Sequence, residues 1–156
     1  MTFRRVAWLA PLAYAVHIAE ESSQHFPDWM RVHIAPGFTT VAFVTVNTVA
    51  MTALVSLTAL ASTSTGRSFV LPYFALASAL MFWNALVHIG ATAYFGVYSP
   101  GAVSGVLVYL PSFYVLTRLA FREGQLTNAT MSTALAVGAG LHAALGLALA
   151  TGAFSR

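Results

Sequence analysis

The segment His17-Ile-Ala-Glu20-Glu21 sets an imidazole and two carboxyl groups inside an otherwise apolar stretch. At about 100° per residue, a helix carries Glu20 about 60° to one side of His17 and Glu21 about 40° to the other, so all three share one face. Tyr14 and Gln24 extend that face by a turn in each direction. Ionisable residues within a membrane span cost roughly 2.5–3.5 kcal/mol each on insertion scales, so such a group is expected to face a cavity or its own partners rather than lipid. Three further constellations follow along the chain: Asn84-x-x-x-His88, an i, i+4 pair; Tyr98-Ser99-Pro100-Gly101; and His142, spaced as Gly138-x-x-x-His142-x-x-x-Gly146. The glycines flanking His142 make a smooth stripe that lets a neighbouring helix approach, which points His142 into a bundle.

The elements that must position these groups are membrane helices. Of 156 residues, 58% are hydrophobic and only 7% charged, with a mean hydropathy of +0.77, against about 25% charged in soluble domains. Five apolar segments read as spans of one transmembrane domain covering 1–156: residues 6–23, 38–61, 69–95, 102–119 and 131–153. Each approaches or exceeds the roughly 20 residues that cross about 30 Å of hydrocarbon. The expected fold is therefore all-α, a polytopic five-span helical bundle. With the N-terminus inside and the C-terminus outside, Arg4, Arg5, Arg67, Arg118 and Arg122 fall on the inner side and Arg31 and Arg156 on the outer, as the positive-inside rule requires. Residues 24–37 mix aromatic and charged residues with Pro27 and Pro36, which fits an outer interfacial segment lying over the site. The run from Ser62 to Arg67 reads as a polar inner turn.

Composition excludes several classes. The net charge of +3 comes from seven scattered arginines with no lysine, which makes no basic patch for nucleic acid. Without cysteine there is no disulfide framework, thiolate metal site or cysteine nucleophile. Frequent alanine and the use of arginine to the exclusion of lysine accord with a bacterial source, for which an integral protein is expected in the inner membrane, and a homo-oligomer is compatible with the pattern.

On His17-Ile-Ala-Glu20-Glu21, His88 and Tyr98-Ser99-Pro100-Gly101, the chain resembles the HXXEE-domain family of small bacterial membrane proteins. The resemblance covers roughly the first two thirds of the chain, with His142 as a further candidate member. It implies a shared site and names no reaction.

Three functions compete. A metal-dependent enzyme acting on a lipid or other hydrophobic small molecule would use His17, Glu21, His88 and His142 as ligands of Zn or Fe, since imidazole and carboxylate suit both metals. Glu20, Glu21, His17, His88, Asn84 and Tyr98 would then be the catalytic set, with the second carboxylate as general base, Asn84 orienting His88 and Tyr98 supplying a proton. A metal-free isomerase or cyclase of an isoprenoid-like substrate would instead use the Glu20–Glu21 pair as acid and counter-ion, with Phe82, Trp83, Tyr94 or Phe95 facing a carbocation. That plan of helices around a His and two Glu is similar to emopamil-binding-type sterol isomerases. Proton or metal transport ranks third, because the polar groups gather at one depth instead of tracing a path. His25 and His33 are expected at the interface with no part in the site.

Overall fold

A computed structural model of the protein describes residues 2–63 and 66–151. Among these the regular structure is all helical, with no strand. In chain order the helices are α1 (Phe3–Val6), α2 (Leu9–Ser23), α3 (Phe26–His33) and α4 (Thr40–Ala61), followed by α5 (Val70–Phe95), α6 (Ala102–Arg122) and α7 (Asn128–Ala150). The last four are long and apolar enough to cross a membrane. The polar turn expected at 62–67 and the 152–153 end of the last segment lie partly or wholly outside the described residues, as does Arg156.

The first apolar segment is not one continuous helix. Pro11 has no N–H to give the carbonyl four residues back, and its ring crowds that carbonyl. The Ala7 carbonyl instead accepts from the Ala10 amide at 3.2 Å and from the buried Tyr73 hydroxyl at 2.9 Å. A break at 7–8 therefore separates α1 from α2, and neither piece is long enough to be a span by itself. The two N-terminal ends that polar residues must satisfy are capped conventionally: Thr39 Oγ1 accepts from the Ala42 amide and Thr127 Oγ1 from the Thr130 amide. At the far end of the bundle from the site, Glu123 accepts from the Phe3 amide at 2.8 Å, joining α1 to the end of α6.

Both α5 and α6 contain a widened, π-helical stretch, at Ser78–Trp83 and Gly105–Tyr109. Residues seven apart, such as Ser78 and Ala85, share a face on a regular α-helix. Here the widening turns the helix between them. Ser78 Oγ donates to the Ala134 carbonyl of α7 at 3.0 Å, whereas Ala85 packs against Gly105 of α6. Helix α5 thus serves two partners in succession, α7 first and then α6.

The glycine stripe of α7 divides in the same way. A Cβ on Gly138 would overlap Ser78 Oγ and crowd the Ala75 carbonyl, so close approach of α7 to α5 depends on this residue. Gly146 has nothing within 4 Å of an added Cβ, and no helix packs on it. The interfacial segment contains a real helix, α3, entered through His25 in the left-handed region at φ 55°. Its Trp29 packs edge-on to Phe95 of α5, and His33 lies at a tilt against both rings.

Candidate functional site

His17 and Glu21, one turn apart on α2, meet His88 of α5 in the interior. The three residues are 1%, 4% and 3% exposed, so they share one buried compartment. Glu21 Oε1 lies 3.4 Å from His17 Nε2 and 3.3 Å from His88 Nε2. Both rings turn their other nitrogen to a serine: His17 Nδ1 is 2.8 Å from Ser104 Oγ, and His88 Nδ1 is 2.9 Å from Ser99 Oγ. Anchored in this way, each imidazole has its Nε2 committed toward Glu21. The ring of His17 also stacks on buried Tyr109 at 4.3 Å, which fixes its plane.

Gly101 is the backbone floor beneath both rings. It has φ +104°, and an added Cβ would stand 2.6 Å from His17 Cε1 and 2.9 Å from His88 Cε1. Only glycine combines that conformation with that proximity. The turn 98–101 is therefore a wall of the site.

Glu20 occupies a different position from Glu21. Its Oε1 accepts from the Gly101 amide at 3.0 Å, the Val103 amide at 3.2 Å and the Tyr98 hydroxyl, and its Oε2 accepts from the Ser104 amide at 2.6 Å. These are the free N–H groups at the start of α6, where a carboxylate is stabilised by hydrogen bonds and by the helix dipole. Burial, and then the hydrogen bond to and charge of Glu20, push the Tyr98 hydroxyl up to about 12, so it remains a donor. Glu20 and Tyr98 hold the 98–104 segment, and with it Ser99, Gly101 and Ser104, against the imidazoles.

Above the cluster is a cavity of about 400 Å³. The cluster and Tyr14, Asn47, Asn84 and His142 are its polar lining, while α3, α4 and α7 supply aromatic and aliphatic walls. Tyr14 donates to Asn47 Oδ1 at 2.6 Å. Asn84 Oδ1 is buried with no hydrogen-bond partner.

Several expectations change. His142 lines the cavity but stands outside the close His17–Glu21–His88 group, which reduces the four-ligand set to three. Asn84 does not orient His88, because Ser99 does. Glu20 and Tyr98 bind each other and the start of α6, and neither lines the cavity. Phe82, Trp83, Tyr94 and Phe95 are likewise absent from its wall; the aromatic lining is Tyr14, Phe26, Trp29, Phe38 and Phe43. Ser99 and Ser104 were not singled out by sequence. The available signal was their placement, one inside the Tyr-Ser-Pro-Gly turn and one in the first turn after it.

The three-residue cluster could hold a metal ion. Bonds of about 2.0–2.1 Å at tetrahedral angles separate ligand atoms by about 3.3–3.4 Å. The two measured nitrogen–oxygen separations match that edge and exceed the usual 2.7–3.2 Å of a good N–H···O bond, roughly speaking. His17 Nε2 makes no hydrogen bond.

A family model described as a protein of unknown function with HXXEE motif matches residues 8–116, more than two thirds of the chain. No curated protein and no solved structure matches the chain at a significant level.

Proposed function

The chain belongs to the HXXEE family, and from that premise we propose that it is an integral membrane enzyme with a metal centre formed by His17, Glu21 and His88, acting on a hydrophobic substrate. The observation that supports this best is the spacing and burial of the three ligand atoms, with both histidines oriented through Nδ1 by serine hydroxyls. A buried carboxylate without a full countercharge is costly. Glu21 has only two imidazoles within ion-pair distance among the described residues, so a cation between them would complete its electrostatics.

Three protein ligands leave a position open, as catalytic zinc and non-haem iron sites do. The centre, when loaded with Zn or Fe, would polarise an oxygen-bearing group or activate water. The protein's own part is to hold the imidazoles by Ser99 and Ser104, to close one side with Gly101, and to exclude bulk water with the apolar walls. Tyr14, Asn84 and His142 offer hydrogen-bonding groups to a molecule in the cavity. A two-carboxylate isomerase has less support, because Glu20 already accepts four hydrogen bonds away from the cavity and leaves Glu21 as its single acid.

The same reading includes five spans. Residues 3–23, taken across the break, reach about 31 Å at about 1.5 Å per residue, enough for the hydrocarbon core. The arginine distribution favours an N-in, C-out orientation in a bacterial inner membrane.

Elemental analysis of protein purified in detergent tests the proposal. Stoichiometric Zn or Fe, lost in His17→Ala, His88→Ala and Glu21→Gln while all three variants remain monodisperse and helical, is the expected result. Wild-type metal content in the three variants, or no metal in wild-type protein after reconstitution with either ion, refutes it.

A further inference from the structure

The cavity lies between α4 and α7, yet these two helices have almost no direct contact with each other. Helix α7 packs mainly along α5, and α4 packs on α2 and the beginning of α5. Their one approach is at the end nearest α3, where Leu149 joins the small cluster of Met30, Phe38 and Phe43. Val46 of α4 and Gly146 of α7 both line the cavity, and an added Cβ on Gly146 would meet nothing within 4 Å. Both helices bury little of their most apolar windows, which leaves most of that surface to face lipid in a bilayer.

The chemistry of the walls limits what enters. The polar lining centres on His17, Glu21 and His88, Phe26 packs its ring 5.4 Å from that of His88, and Trp29, Phe38, Leu145 and Leu149 are among the apolar walls. No arginine lines the cavity among the described residues, and the chain has no lysine. A phosphate or carboxylate head would therefore meet Glu21 with no cation to pair with. About 400 Å³ is also near the small end of the roughly 300–1,000 Å³ range of single-ligand pockets, which leaves no room for a whole two-chain phospholipid.

Resting on the site described above, we infer that the cavity takes an uncharged single-chain lipid bearing a hydroxyl or carbonyl oxygen, and that this lipid enters sideways from the bilayer between α4 and α7. The oxygen reaches the His/Glu cluster and the chain lies toward Leu145 and Leu149. The entry route explains why Gly146 carries no side chain, although no helix packs there.

Photo-crosslinking tests this on the full chain in lipid nanodiscs, using a long-chain alcohol with a diazirine on its tail and the matching fatty acid as the charged comparison. The alcohol is expected to label Phe43, Val46, Leu145, Gly146 and Leu149, which line the cavity, with competition by unlabelled alcohol and weak labelling by the acid. Gly146→Phe, whose ring has open space to enter, and Val46→Phe on α4 are each expected to abolish that labelling. Metal content is measured on the same samples. Retained metal with labelling confined to outward residues such as Leu141 and Leu147, or labelling unchanged in both variants, overturns the inference and leaves the metal centre standing. Equal labelling by the acid overturns the choice of an uncharged head. Loss of metal from wild-type protein with normal labelling of the cavity refutes the metal reading alone.

Discussion

Replacement of Gly101 by alanine is the sharpest test of how the site is built. The residue sits at φ +104°, a conformation that costs an L-residue about 1–3 kcal/mol. Its new methyl would lie 2.6 Å from His17 Cε1, 2.9 Å from His88 Cε1 and 3.0 Å from His88 Nε2, where carbon contacts normally settle at about 3.5–4.0 Å. Neither ring can retreat freely, since His17 is held by Ser104 and Tyr109 and His88 by Ser99. Overpacking of this kind adds about 1–3 kcal/mol. The sum, about 2–6 kcal/mol, is a substantial part of a typical stability of about 5–15 kcal/mol. Gly96→Ala is the internal control. Gly96 also has a positive φ, +67°, but an added Cβ there meets nothing within 4 Å, so only the backbone cost applies. Thermal unfolding in detergent, followed by helical circular dichroism, and Co²⁺ titration on both variants give the two readouts. Gly101→Ala should melt lower than Gly96→Ala and lose Co²⁺ binding, while Gly96→Ala should bind as wild type does. If the two variants melt together and both bind Co²⁺ normally, Gly101 is not the floor of the site.

Three other perturbations separate the parts. Ser99→Ala and Ser104→Ala each release one imidazole Nδ1 and should weaken metal binding by about 10- to 100-fold, the usual effect of removing a partner behind a metal ligand; calorimetric titration with Zn²⁺ measures it, and unchanged affinity in both would remove the serines from the argument. Glu20→Gln keeps the side-chain shape but turns a donor toward amides that need acceptors, so it should destabilise the fold by about 1.5–3 kcal/mol, the range for hydrogen bonds to a charged group, with metal affinity reduced through the shifted 98–104 segment. A stable, inactive Glu20→Gln enzyme would instead make Glu20 a catalytic acid. Tyr98→Phe tests the pH dependence: the folded protein raises the Tyr98 hydroxyl from 10.0 to about 12, so the protonated form is favoured by folding. Its contribution is fully present below pH 10 and disappears as pH rises through about 12. The melting difference between wild type and Tyr98→Phe should therefore be constant at neutral pH and close across that alkaline window.

Much of this protein is written in local pattern. Hydropathy and segment length determine that the chain is a set of membrane helices, because twenty or so apolar residues in water have few alternatives. The four-residue step from His17 to Glu21 fixes that they share a helix face, and the Asn84-x-x-x-His88 spacing inside another apolar segment marks His88 as a candidate partner. Local pattern could not assign Glu20 and Glu21 to different tasks, because adjacent residues on α2 diverge by about 100° and only the neighbouring elements determine what each meets. Glu20 meets the start of α6 and Glu21 meets His88. Nor could periodicity place Ser99, Gly101 and Ser104 against the imidazoles, or leave His142 in the cavity wall outside the cluster. The first depends on Glu20, which holds the start of α6 against α2, and the widened turn at 78–83 lies between the part of α5 that meets α7 and the part that carries His88, out of the register that a regular helix, and any reading based on its period, would assume.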